Sequence, residues 1–294
     1  MIENMEWYRA FYEVAQTGSF SKAAERLFIT QPAVSHSIKQ LEFRLGGALF
    51  FRTSRGVKLT AEGEVLYKFV SQAHHFLENG EKKIAEMRNL MAGEVKIGAG
   101  DTLCRYYLLP HLDSFHRQYP ELKIQVTNRT SRETIALLKE GRIDFGIVNL
   151  PMHSDDRQLH IRESMQLHDC FVAGRTGRPD PESPRSWDEL AALPLLMLER
   201  GSSIRRYVDA FAESKGVRLQ PEIELGSIEL LVQFAGIGLG IACVIREFVG
   251  VELADGTLSE VRLADPLPPR NVGLVTLRDV PLSAAAQRLL EMLP

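Results

Sequence analysis

Pro32, Ser35, His36 and Lys39 fall on one side of a short segment, and with Gln31 at its start they could read a nucleic acid. A glutamine amide can hold adenine bidentately, a serine hydroxyl can bond several base edges, and a lysine can neutralise a phosphate. Val34, Ile38, Leu41 and Leu45 recur at i, i+4, i+7 and i+11, one apolar stripe of a helix, which turns Pro32, His36 and Lys39 away from the core. Gln31 stands at the helix start. Upstream, Ala23 and Ala24 allow helices to approach closely, and Leu27 and Ile29 fill the space between them. This is helix-turn-helix spacing, in which the second helix enters a major groove. A plain helical hairpin with a solvated polar face is the bland alternative. One departure stands out: Phe28 occupies a turn position where glycine is common.

Other constellations carry less chemistry. Gly236, Gly238 and Gly240 resemble a phosphate loop only in composition, because they follow a predicted helix rather than a strand. His74, His75, His111 and His116 lack metal-ligand spacing with acids or cysteines, so no metal or cofactor is expected. No Gly-x-Ser-x-Gly exists, and no catalytic residue is assigned. Cys104, Cys170 and Cys243 stand far apart. Core packing suits them better than disulfides or redox sensing, although Cys104 falls near a predicted cleft.

The elements that must position these residues can be read in order. Residues 7–16 have helical spacing, Ser19 can cap a helix through Leu27, and Thr30 can cap the next, which Gly46 and Gly47 end. Residues 49–51 and 57–59 are β-type runs joined by residues 52–56. Leu66, Val70, Ala73, Leu77, Gly80, Ile84, Met87 and Met91 then step alternately by four and three, the heptad seam of a coiled coil. An amphipathic helix lying on its own protein remains the alternative. Residues 92–93 make a hinge.

From residue 94 the texture becomes alternating strands and helices. Residues 95–98, 123–127 and 145–148 read as strands, with helices over 103–117 and from a capping box at Thr130 and Glu133 to Glu140. This βαβαβ pattern predicts a mostly parallel sheet. It repeats loosely, with strands at 169–173, 195–198, 222–225 and 272–277 and helices at 203–215, 227–235 and 283–293. Two α/β lobes with a cleft between them follow. Ligands of such sheets sit beyond strand ends, at helix starts. Those points are Asp101 and Thr102; Asn128, Arg129, Thr130 and Ser131; Asn149; Ser202 and Ser203; and Ser227. Asp101 would repel an anion unless Arg129 or Arg105 pairs with it.

Composition narrows the class. The chain has 294 residues, 45% apolar and 25% charged, ordinary for a folded protein of two or three domains. No apolar run is long enough to span a membrane. Glu3, Glu6, Glu13 and Glu25 in the first thirty residues argue against a signal peptide, so the cytoplasm is the expected compartment. Residues 1–60 hold eight Lys and Arg against five Glu, a surplus of three in a chain of net charge −3, so the remainder carries −6. A basic head on an acidic body points weakly to a polyanion.

The chain resembles the LysR-type transcriptional regulators. The resemblance is carried by Phe11, Val14, Ala15, Gly18, Ser19, Phe20, Ala23, Ala24, Leu27, the run Thr30 to Ser35, Ile38, Leu41, Glu42, Leu45, Gly46, Leu49, Phe50, Arg52, Leu59, Thr60 and Gly63. It is specific in the first 65 residues and architectural beyond. It implies an α/β protein with an N-terminal winged helix-turn-helix at 1–60 and a linker helix and hinge at 61–93. A two-lobed sensor resembling periplasmic binding proteins follows at 94–294, with lobe I about 94–164 and 268–294 and lobe II about 165–267. By the same resemblance Thr30, Gln31, Pro32, Ser35, His36 and Lys39 meet the groove, and Arg52, Arg55 and Lys58 on the wing meet phosphate or the minor groove. The implied partners are double-stranded promoter DNA and a small-molecule effector, expected to bear a carboxylate, with an amine-bearing or zwitterionic ligand as the alternative. A second copy would pair through residues 61–91, with further pairing to a homotetramer, and RNA polymerase is a further candidate. The rivals are a small-molecule-binding protein and an enzyme on the same two-lobed scaffold.

Overall fold

Local capping chemistry fixes the first elements. The computed structural model describes residues 4–53, 56–88, 93–152, 156–174 and 183–294, which divide into two units at residues 84 and 85. In the first, α1 (Met5–Thr17) ends at Gly18, whose φ of 62° suits glycine. Ser19 caps α2 (Phe20–Leu27) and Thr30 caps α3 (Gln31–Leu45), each side chain accepting from an amide three residues on. Phe11, Val14, Ala23, Ala24, Val34, Ile38 and Leu41 form the core between them. An antiparallel ribbon, β1 (Phe50–Thr53) and β2 (Gly56–Leu59), completes the wing.

Thr60 and Gly63 set the start of α4 (Ala61–Arg88). The Thr60 hydroxyl donates to the Ala48 carbonyl at 2.8 Å and accepts from the Gly63 amide at 3.0 Å. A Cβ on Gly63 would stand 2.2 Å from the Leu49 carbonyl oxygen, so a larger residue could not start the helix this close to the wing. The predicted seam divides in function. Leu66 and Val70 pack on the helix-turn-helix core, whereas Leu77 and Ile84 are 58% and 57% exposed. Phe69, absent from the predicted seam, is 68% exposed beside them. Met91 lies outside the described residues, and Met87 is placed only by its helix.

The second unit contains two five-stranded sheets. The chain runs through β3 (Glu94–Ala99), α5 (Asp101–Leu103), a π-helical turn (Cys104–Leu108), α6 (Leu109–Gln118), β4 (Lys123–Asn128), α7 (Ser131–Lys139), β5 (Phe145–Asn149) and β6 (Leu159–Leu167). It then enters lobe II through β7 (Asp169–Gly174), α8 (Trp187–Ala191), β8 (Leu195–Leu198), α9 (Ser203–Ser214), β9 (Ile223–Leu225), α10 (Ile228–Gly236), β10 (Ile241–Ile245), α11 (Gly250–Ala254) and β11 (Leu258–Val261). It returns to lobe I with β12 (Arg270–Leu277) and ends in α12 (Ala284–Met292).

The sheets are mixed rather than mostly parallel. In the order β4-β3-β5-β12-β6, β3 is parallel to both its neighbours, but β12 is antiparallel to β5 and to β6. In β11-β7-β10-β8-β9, β8 is parallel to its neighbours and β7 is antiparallel to its own. The reason is the chain path. Helical crossovers force parallel pairing, whereas β6, β7, β11 and β12 are the strands through which the chain passes between lobes. The single helix expected at 103–117 starts at Asp101 and carries the π-turn, where the Leu109 amide reaches the Cys104 carbonyl five residues back. Pro110 supplies a cause, since it has no N–H for the ordinary helical bond to Tyr106. The Gly236–Gly240 segment is the turn from α10 into β10, so it follows a helix rather than a strand. Among the described residues no helix is long and apolar enough to cross a membrane.

Candidate functional site

The α3 surface presents the predicted readers together. Thr30, Gln31, Pro32, His36 and Lys39 are exposed, and Ser35 is half-buried. The Gln31 amide donates to the Ser35 hydroxyl at 2.9 Å. That bond ties two candidate base readers, one turn apart, into one hydrogen-bonding edge. Thr30 is partly engaged, since its hydroxyl accepts from the Ala33 amide. Phe28 adopts φ 56° at the turn and is 94% exposed, so the phenyl ring occupies a left-handed position that favours glycine. Lys58 is exposed on β2. Arg52 is placed only by its position in β1, and Arg55 lies outside the described residues.

The second candidate site lies between the lobes of the sensor unit. Asp101, Thr102, Asn128, Arg129, Thr130, Ser131 and Asn149 from lobe I meet Ser202 and Ser203 from lobe II around a cavity of about 230 Å³. Ser227 caps α10 by position but does not line this cavity; its neighbour Gly226 does. Glu199 was not singled out on the sequence and lines it too. Its signal was available, because it directly follows the β8 strand end.

Hydrogen bonds order the floor of this cleft. Ser131 Oγ accepts from the Asn149 amide at 3.2 Å, and the Asn149 side chain donates to Ser203 Oγ at 3.3 Å across the lobes. Thr130 and Glu133 form a reciprocal capping box, which draws the Glu133 carboxyl below its ordinary pKa through the Thr130 hydroxyl and amide. Neither arginine neutralises Asp101. Arg129 donates to the Asn128 carbonyl at 2.7 Å, and Arg105 pairs with Glu229. Asp101 instead accepts from the Asn128 side chain at 3.2 Å.

Behind the cleft sits a buried ion pair that the sequence did not disclose. Arg270, first in β12, holds Asp169, first in β7, with bonds of 2.5 and 2.9 Å, and its third nitrogen donates to Asn149 Oδ1 at 2.5 Å. Both charged side chains are at most 1% exposed. Asn149 therefore connects the cleft floor to the strands where the chain crosses between lobes.

The cysteines are poorly suited to nucleophilic chemistry. Burial, then the Asp101 charge, pushes the Cys104 thiol up to about 11, so little thiolate exists near neutrality. Burial raises Cys170 and Cys243 further. Among the described residues no group of three His, Cys, Asp or Glu could hold a metal ion.

A capped helix-turn-helix with a wing and a long helix, together with a two-lobed α/β unit enclosing a polar cleft, defines a ligand-responsive DNA-binding regulator. The family described as bacterial regulatory helix-turn-helix protein, lysR family, matches residues 5–64, and the LysR substrate binding domain matches residues 88–294. The Escherichia coli K12 protein called uncharacterized HTH-type transcriptional regulator YeiE is 30% identical over 281 residues, 96% of this chain and 94% of that one. A full-length OxyR point variant from Pseudomonas aeruginosa has the same fold, with a TM-score of 0.69 at 22% identity over 99% of this chain and 93% of that one. CbnR in complex with its target DNA gives a TM-score of 0.65 at 18% identity, covering 99% and 98%. The chain belongs to the LysR family of transcriptional regulators, with a DNA-binding head and an effector-binding domain.

Proposed function

We propose that this regulator binds promoter DNA as a dimer, reads bases with α3, and alters its hold on DNA when a small carboxylate-bearing molecule fills the cleft. One observation supports this most: strand ends and helix starts from both lobes bring polar side chains together around one cavity. Arg129 and the N-terminal amides of α7 and α9 favour an anionic group there. Among the described residues no arginine stands within salt-bridge distance of Asp101 or Glu199, which favours an amino group on the same ligand. Gln31 and Ser35 take the base edges. His36 and Lys39, with Arg52, Arg55 and Lys58 of the wing, complete the DNA contacts.

The dimer is supported by the first unit. A groove of about 520 Å³ runs between α1 and α4, lined by Met5, Tyr8, Phe69, Ala73 and Leu77 among others. Those side chains continue the exposed seam, so the α4 helix of a second copy suits the groove in chemistry and in heptad spacing. A homotetramer would require a further contact through the sensor unit.

Calorimetric titration tests the ligand reading. An amino acid found by metabolite screening should bind the full chain, and Asp101→Asn should weaken it while improving its deaminated analogue. Arg129→Gln should weaken both. If Asp101→Asn leaves discrimination between the analogues unchanged, Asp101 does not meet the ligand. A ligand that binds with full affinity to both variants would remove the cleft as the effector site.

A further inference from the structure

Lobe II carries a second cavity of about 170 Å³, distinct from the cleft and built largely from guanidinium groups. Arg200, Arg205, Arg206 and Arg218 line it, with Asp209 and Glu213 as the acidic members. Asp209 is already engaged, since its two oxygens accept from Arg205 Nε at 2.8 and 2.9 Å. Arg205 is buried, and Glu224 stands a further 3.2 Å from it. Arg200 has only a distant Glu224 contact at 3.9 Å. Among the described residues, Arg206 and Arg218 have no carboxylate partner within salt-bridge distance. Four arginines therefore stand against Asp209, Glu213 and Glu224, which leaves a surplus of one positive charge, with Arg206 and Arg218 the unpaired guanidiniums, on α9 and on the segment after it.

We infer that this cavity binds a tetrahedral oxyanion of the phosphate or sulfate class. Guanidinium groups converging from three chain segments suit an anion that presents acceptors in every direction, whereas a lone carboxylate offers one edge. The volume is below that of pockets for larger organic ligands. Buried Arg205, fixed by Asp209 and by the Leu198 carbonyl at 2.9 Å, gives the cavity a rigid wall.

The site shares that wall with the effector cleft. Glu199, Gly201, Ser202 and Ser203 face the cleft, while Arg200, Arg205 and Arg206 face the second cavity. Arg206 donates to the Gly201 carbonyl at 2.9 Å. An anion that recruits Arg206 competes with this bond and so acts on a loop lining the cleft. Anion binding itself does not depend on the cleft reading; only its coupling to the effector rests on it, and coupling acts equally in both directions.

Titration of the full chain with inorganic phosphate, and separately with sulfate, at ionic strength held constant with chloride tests the site. Saturable binding of one anion per chain is expected, and preference between the two probes identifies the class member. Arg206→Gln and Arg218→Gln, both at exposed positions, should each weaken binding about tenfold, the scale of one charge-assisted hydrogen bond. Arg129→Gln in the cleft and Lys39→Ala on α3 should leave it unchanged. Heats no larger than those of chloride, or binding lost in Arg129→Gln or Lys39→Ala but retained in the Arg206→Gln/Arg218→Gln double variant, would overturn the proposal.

Discussion

Gln31 and Ser35 were legible as a pair because everything that positions them is local. A cap, a proline in the first turn and an apolar stripe all lie within fifteen residues of α3. Lys39 and Lys58 should act through phosphate, so Lys39→Ala and Lys58→Ala should each weaken binding to every duplex and lower the slope of log affinity against log salt by about one. Salt titrations of both variants check this, and an unchanged slope would place them off the DNA. Phe28 makes a stability prediction. A side chain in the left-handed region costs roughly 1–2 kcal/mol, and this ring is almost wholly exposed. Phe28→Gly should therefore stabilise the DNA-binding unit by roughly 0.5–1 kcal/mol, after glycine's greater unfolded-chain entropy is deducted. Denaturant unfolding measures the change. What stayed illegible at this scale was the Arg270–Asp169 pair, whose members stand 101 residues apart with no local pattern to join them.

Elements with strong periodicity were read well, and elements defined by tertiary neighbours were not. The caps of α2, α3 and α7 are sequence-local chemistry, and each appears where Ser19, Thr30 and the Thr130–Glu133 box placed it. Strands β6, β10 and β11 and helices α8 and α11 escaped. The residues of β10 are uniformly buried, so it shows no alternation, and β6 is largely exposed along its length. The heptad reading of α4 also needed correction in detail, because Leu66 and Val70 serve their own unit and Phe69 joins the exposed face. That division sharpens a prediction. Leu77→Lys would place a charge in the apolar seam of a paired helix, a cost of several kcal/mol without a partner. The variant should sediment as a smaller species and bind DNA much more weakly. Wild-type sedimentation and wild-type DNA binding would exclude α4 as the dimer contact.

At the scale of the whole molecule, the sensor unit depends on how its lobes are joined. The Asn149–Arg270–Asp169 chain lies at the crossing strands, within one hydrogen bond of Ser203 in the cleft. Removing one member strands a buried charge, so Arg270→Met should destabilise the protein by about 3–5 kcal/mol, and pairing it with Asp169→Leu should recover much of the loss. Urea unfolding of the single and double variants checks both halves. The two-lobed plan was visible as a repeated α/β texture, but the mixed strand directions depend on the path between lobes, which no local pattern records. Sequence-specific duplex recognition by α3 is tested most directly by selection from a random duplex pool. The wild-type chain should enrich sites with two half-sites about one helical turn apart, and Gln31→Ala should relax preference at one position in each half-site, a cost of about 1–3 kcal/mol at the best site. No enrichment over the starting pool, or an identical motif from Gln31→Ala, would contradict it.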